Sequence, residues 1–149
     1  NGTVLINTNH NEMAKYLTVS QAKMKSKGVD SVRSRVVNLV EFDSEYGHRR
    51  NPIGYLRCLE DADVKLRTLI RNMKEDDLLI ITADHGNDPL HTGTDHTREN
   101  VPLLVYSKSI KNPCNLGIRN TFADIACTIS ENFKIEKPNI GKSFLNELK

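Results

Sequence analysis

The alternation of apolar and polar positions divides most of the chain into short strands and two longer helices. Along residues 36–40 the sequence Val-Val-Asn-Leu-Val is a nearly continuous apolar run, the pattern of a strand buried on both faces of a parallel sheet. Tyr55, Leu59, Ala62, Leu66, Leu69 and Met73 then recur at steps of three and four, which places them on one face of a helix. Pro52 near its start suits a first helical turn, where the missing amide hydrogen costs nothing. A charged turn, Lys74-Glu75-Asp76-Asp77, leads to a second apolar run, Leu78-Leu79-Ile80-Ile81. A third run over residues 101–106, with Pro102 near its start, reads as another strand. Phe122, Ile125, Ala126, Ile129 and Phe133 mark a second helix, with Asn120 or Thr121 placed to cap it.

Strand, helix, strand, strand, helix is an α/β order and implies a right-handed crossover. In open α/β sheets, ligands gather beyond the carboxyl ends of the strands, where loops and helix N-termini converge. Asp43 and His48 follow the first run, and Asp84 and His85 follow the second, so both pairs are expected on one edge of one sheet. The opening segment, to about Asp30, is polar with no clear apolar period, and around Asn1, Asn7, Asn9, His10 and Asn11 it carries no strand or helix signal. No internal repeat, low-complexity tract or Ser/Gly linker divides the chain.

Composition narrows the class. The chain has 149 residues, enough to bury a real core. With 38% apolar residues, 27% charged residues and a net charge of +2, it reads as a soluble globular protein, not a basic nucleic-acid binder. No apolar run approaches the roughly 20 residues that cross a bilayer, and the start lacks the layout of a signal peptide. A cytoplasmic location with no membrane or nucleic-acid partner is the expectation. Cys58, Cys114 and Cys127 are widely separated, without CxxC spacing, and read as reduced thiols.

The chemistry is concentrated in two places. Four of the five histidines lie in DSEYGH (43–48) and DHGNDPLHTGTDH (84–96), each rich in aspartate. Carboxylate oxygen and imidazole nitrogen together suit divalent ions such as Mn, Zn or Fe better than Ca, which prefers oxygen alone. Gly47 and Gly86 stand beside the histidines, where a missing side chain lets the backbone turn sharply and approach an anion. A solvated polar loop is the competing reading. A hydrolytic triad is disfavoured because no serine or cysteine sits on a G-x-S-x-G elbow.

The segments NLVEFDSEYGHRRN (38–51), TADHGNDPLHTGTDHTRENVPLLVY (82–106) and NTFADIACTI (120–129), followed by Gly141-Lys142-Ser143-Phe144, resemble successive blocks of the phosphopentomutases, two-metal enzymes of the alkaline phosphatase superfamily. Asp-His-Gly is shared widely across that superfamily, whereas the GTDHTRE that follows it is specific. The resemblance runs from about residue 35 to the end. It implies that residues 35–149 are the C-terminal part of the metal-binding core domain, a piece of an alkaline-phosphatase-like sheet flanked by helices, with the cap domain absent. Residues 1–34 match poorly.

By that resemblance Asp43, His48 and His96 are ligands of one metal, and Asp84 and His85 are ligands of a second. The ions implied are two Mn²⁺, or another divalent metal, bridged in the family by a phosphorylated threonine. The family's activity interconverts the 1-phosphate and 5-phosphate of ribose or deoxyribose. The nucleophilic threonine and one further aspartate ligand have no counterpart here, so no catalytic nucleophile is assigned and the chain alone is expected to be inactive. The partners implied are a sugar phosphate and the N-terminal part of the same enzyme. Competing functions are a cofactor-independent phosphoglycerate mutase, a phosphatase of the same superfamily, or a non-catalytic metal-binding fragment. His91 is expected to be an exposed loop residue. Asp88 and Asp95 are candidates to orient histidine rings, and Arg49, Arg50 and Arg98 to pair with phosphate or with these carboxylates.

Overall fold

A computed structural model describes residues 2–7 and 35–149. The reading of Asn9, His10 and Asn11 as irregular concerns residues outside those described. Among the described residues lie four strands, β1 (Gly2–Asn7), β2 (Arg35–Leu39), β3 (Leu78–Ala83) and β4 (Leu103–Tyr106), and two α-helices, α1 (Pro52–Asn72) and α2 (Ala123–Phe133). The chain forms two compact units, residues 1–108 and 109–149.

The first unit carries a four-stranded sheet in the order β2-β1-β3-β4. The segment expected to lack regular structure supplies its second strand. Val4 is opposite Val37 on one side and Ile81 on the other, so the run Thr-Val-Leu-Ile at residues 3–6 was an apolar strand signal outweighed by the asparagines around it. Every hydrogen-bonded neighbour pair is antiparallel, which corrects the expectation of a parallel ladder. β2 and β3 do run in the same direction, as a strand–helix–strand crossover requires, but β1 lies between them.

Burial separates the two central apolar runs. In β3, Leu79 and Ile80 are each 1% exposed, and because successive side chains point to opposite faces, this strand is covered on both. β2 is not: Val37 is 4% exposed but Val36 is 60% exposed, which corrects its reading as a doubly buried strand. The core gathers Val37, Leu69, Met73 and Leu79, with Leu39, Leu66, Ile70 and Ile81 packed around it. The helical stripe read from the sequence is therefore the face α1 lays on the sheet, and its C-terminal half does most of the packing. Towards the N-terminal half Leu59 is exposed, and a cavity of about 590 Å³ opens between α1 and the sheet, with Tyr55, Cys58, Leu66, Ile81 and His85 in its wall.

The ends of α1 follow local chemistry. The Asn51 side chain accepts from the Gly54 amide at 2.9 Å, satisfying one of the free donors of the first turn, and Pro52 follows it in that turn. After the helix, the Asp77 carboxylate accepts from the Lys74 amide at 2.8 Å, closing the charged turn into β3. No helix among the described residues is long and apolar enough to cross a membrane.

The second unit is built around α2, Phe144 and a short 3₁₀-helix (Leu145–Leu148). The N-cap is Phe122, with no side-chain capping bond, which corrects the expectation of Asn120 or Thr121 there; Thr121 Oγ, one residue earlier, accepts from the Ala123 amide at 3.2 Å. The Thr128 hydroxyl accepts from the amide of fully buried Phe144 at 3.0 Å. Asp124 accepts from Arg119 Nε at 2.9 Å and from the Lys142 amide at 2.8 Å. Gly141 has φ +99°, and an added Cβ would come within 2.6 Å of the Ala123 backbone, so this bend needs glycine on two counts.

Candidate metal centre

The first half of the site is a π-helix, Phe42–Gly47, that follows β2. Its wider turn shows in the bonds from the His48 amide to the Asp43 carbonyl, 2.9 Å, and from the Asn51 amide to the Tyr46 carbonyl, 3.0 Å. Such i→i+5 turns are rare and concentrate at functional sites. Here the turn brings residues five apart over one another, and Asp43 Oδ1 lies 3.5 Å from His48 Nε2. Phe42 packs edge-on against Tyr55 of α1 at 5.2 Å, which anchors the turn to the helix behind it.

The second half is the loop after β3. The Thr97 amide donates to the Gly86 carbonyl at 3.0 Å. The Thr97 hydroxyl accepts from the Asp88 amide at 2.7 Å and donates to Glu99 at 2.5 Å. This closure folds the loop back on itself, and the rings of His85 and His96 stack with centroids 3.7 Å apart. His96 Nε2 then lies 3.0 Å from His48 Nε2 and 3.5 Å from Asp43 Oδ1. One donor atom each from Asp43, His85 and His96 falls within 4.8 Å of the others. Asp84 sits further out, with Oδ1 3.7 Å from His85 Nε2. The structure thus brings Asp43, His48, His85 and His96 together and leaves Asp84 at the rim.

Counting protons shows which ring nitrogens can act as ligands. His48 Nδ1 faces the Thr94 carbonyl at 2.5 Å, and a carbonyl only accepts, so the neutral ring carries its hydrogen on Nδ1 and presents a lone pair at Nε2. His85 Nδ1 faces the Gly86 carbonyl at 3.2 Å, which by the same logic leaves a lone pair at its Nε2. The His48 Nε2 lone pair faces Asp43 and His96 Nε2, and that of His85 faces Asp84. Burial of Asp43 pushes its carboxyl up, but the Asn87 amide, which donates to Oδ1 at 2.7 Å, leads the effects that bring it net below the ordinary value of 3.8. An ionised Asp43 oxygen with the Nε2 atoms of His48 and His96 close around it is the donor set a divalent cation takes. Donor atoms about 2.1 Å from a shared ion are spaced by roughly 3 to 3.5 Å, and the spacings here are 3.0, 3.5 and 3.5 Å.

Several auxiliary assignments change. Gly47 and Gly86 have no left-handed backbone. Their missing side chains make room for protein: a Cβ on Gly47 would meet Asn87 Nδ2 at 2.6 Å, and one on Gly86 would meet Glu99 and the Thr97 carbonyl. Asp88 and Asp95 do not orient the histidines. The Asp88 carboxylate accepts from the Leu90 amide at 2.8 Å, and Nδ1 of His48 and of His85 face the carbonyls of Thr94 and Gly86. Arg49 pairs with Glu45 at 3.1 Å. The Arg50 guanidinium binds carbonyl and amide oxygens of the site's own loops, and Arg98 is exposed. His91 is exposed on the loop, as expected. Asn87, which aims Asp43, had no role in the sequence reading. Its only signal there is its place directly after Asp-His-Gly.

The profile of the Metalloenzyme superfamily matches residues 1–137. The phosphopentomutase of Levilactobacillus brevis is 58% identical over 113 residues, which cover 76% of this chain and 29% of that enzyme. The chain therefore spans under a third of the length of this curated relative. A match running from the first strand through α2, on a chain whose carboxylates and histidines gather at one sheet edge, gives the assignment: the chain belongs to the Metalloenzyme superfamily and, within it, is similar to phosphopentomutase.

Proposed function

We propose that this chain is the metal-binding part of a phosphopentomutase, holding two Mn²⁺ ions and taking ribose or deoxyribose phosphate as substrate, with the phosphate moving between the 1- and 5-positions. Asp43, His48 and His96 hold one ion, and Asp84 and His85 contribute to the second. The observation that carries the reading is the convergence of Asp43 Oδ1, His48 Nε2 and His96 Nε2 at 3.0–3.5 Å. The stacking of His85 on His96 supports it, because it puts the two ligand sets in contact, as a pair of ions about 3.5–4 Å apart demands. When bound, such a pair neutralises the charge of a transferring phosphate and holds its oxygens in line. The residues themselves do the placing: Asp43 supplies fixed negative charge, Asn87 aims it, the Thr94 carbonyl selects the His48 tautomer, and the Gly86–Thr97 closure sets His96 against both. A cytoplasmic location belongs to the same reading.

The test is an assay of the protein containing this chain, with Mn²⁺ and a sugar bisphosphate activator, on ribose 1-phosphate and on phosphoglycerate. The proposal expects turnover of the pentose phosphate, abolished by His96→Ala together with a drop in bound metal. Turnover of phosphoglycerate in preference would move the chain to the related mutases. A His96→Ala variant as active as the parent would overturn the ligand assignment.

A further inference from the structure

Arg50 touches no candidate donor atom, yet it sits where the site's segments meet. Its Nη1 donates to the Gly47 carbonyl at 3.1 Å, to Asn87 Oδ1 at 2.7 Å and to the Asp88 carbonyl at 2.7 Å. Its Nη2 donates to the Asp95 carbonyl at 2.6 Å, and its Nε to the Gly93 carbonyl. One planar cation is therefore surrounded by five oxygens from the end of the π-helix, the start of the loop and the far end of the loop. Four of the five are main-chain carbonyls, so the residue reads backbone position and not a particular side chain. Arg50 also has φ +49°, a left-handed backbone that non-glycine residues seldom adopt.

We infer that Arg50 is the positioning residue of the metal centre, a clamp that fixes the loop carrying His96 against the π-helix carrying Asp43 and His48. The inference rests on the metal reading above and deepens it. Gly93 and Asp95 flank Thr94, whose carbonyl takes the His48 Nδ1 hydrogen, so holding both neighbours holds the tautomer of His48. Asn87 accepts from Arg50 through its oxygen and donates to Asp43 through its nitrogen, so the same guanidinium fixes which way the amide is flipped. His96 directly follows Asp95. Lysine cannot replace it, because an ammonium is a point charge with three hydrogens, whereas the guanidinium offers five in a rigid plane.

The experiment compares the protein containing this chain with Arg50→Lys, Arg50→Gln, Arg49→Gln and Asp43→Asn variants. Arg49→Gln removes the same charge one residue away, from a side chain paired with Glu45. Each protein is freed of metal by chelation and titrated with MnCl₂, and the histidine tautomers of the metal-free form are read by long-range ¹H–¹⁵N NMR. Expected are a Mn²⁺ affinity weakened about 10- to 100-fold in both Arg50 variants, loss of the single Nδ1–H form of His48, and parent-like behaviour in Arg49→Gln. Parent-like affinity and tautomer in Arg50→Lys, the variant that keeps the charge, would overturn the clamp. If the parent binds no Mn²⁺, or Asp43→Asn binds as well as the parent, the metal reading fails. The clamp is then decided by the tautomer alone: a mixture in Arg50→Lys supports it, and a retained Nδ1–H form refutes it.

Discussion

Gly47→Ala sets two effects of opposite sign against each other. Alanine is favoured over glycine inside a helix by about 1 kcal/mol, so propensity alone forecasts a more stable protein. The surroundings forecast the reverse, since the new Cβ would lie 2.6 Å from Asn87 Nδ2, 2.8 Å from its Cγ and 2.9 Å from the Phe42 carbonyl. Ordinary contacts begin near 3.5 Å, so Asn87 must retreat by about 1 Å. Its bond to Asp43, now 2.7 Å, would then pass out of hydrogen-bonding range. A hydrogen bond to a charged group contributes about 1.5–3 kcal/mol, a factor of roughly ten to a hundred or more in binding. Mn²⁺ titration of the protein containing this chain should show that loss. In the double variant Gly47→Ala/Asn87→Ala the two changes should combine to less than their sum, because the clashing amide is gone while the approach to Phe42 remains. A Gly47→Ala protein that binds Mn²⁺ like the parent would refute the claim that this glycine exists to admit Asn87.

Other positions give independent checks. His96→Ala should abolish metal-dependent activity and lower metal content by elemental analysis, while His91→Ala, on the exposed part of the loop, should leave both nearly intact; equal damage would contradict the assignment. Leu69→Ala empties the centre of the core between α1 and the sheet, and chemical denaturation should show a loss of about 2–5 kcal/mol. Burial of Asp124 raises its carboxyl, but the Lys142 amide and Arg119 bring it net below 3.8. The stability it contributes is therefore complete above that value and is lost as pH falls through its lower native value. Asp124→Asn should cost toward the low end of roughly 3–5 kcal/mol near neutral pH, with the denaturation midpoints of variant and parent converging only below about pH 3.8. A gap that persisted unchanged at pH 3 would show that the carboxylate charge is not what Arg119 holds.

Periodicity made the helices legible. The stripe ending at Leu69 and Met73 is long and regular, and the structure uses its C-terminal half as read, while Leu59 stays exposed. Strand direction was not legible, because an apolar run states that a strand is buried without saying which neighbour buries it; Leu79 and Ile80 are covered on both faces inside antiparallel ladders. β1 was missed because three apolar residues among asparagines are too short for a period to emerge, and only pairing with β2 and β3 makes them a strand. In the site, aspartate and histidine betray themselves by type and spacing, so the histidine cluster could be anticipated. Asn87, Thr97 and the backbone-holding role of Arg50 could not: Asn87 and Arg50 bond to segments distant in sequence, and Thr97 bonds to the main chain of its own loop. The π-helix leaves no period of its own over six residues, although it is what sets His48 over Asp43.

Anomalous diffraction at the manganese edge, from crystals of the protein containing this chain grown with Mn²⁺, tests the central claim most directly. The account predicts a peak about 2.0–2.2 Å from Asp43 Oδ1, His48 Nε2 and His96 Nε2, with the His48 Nδ1 hydrogen still directed at the Thr94 carbonyl. Manganese absent from that point, in protein that binds the metal in solution, would contradict it.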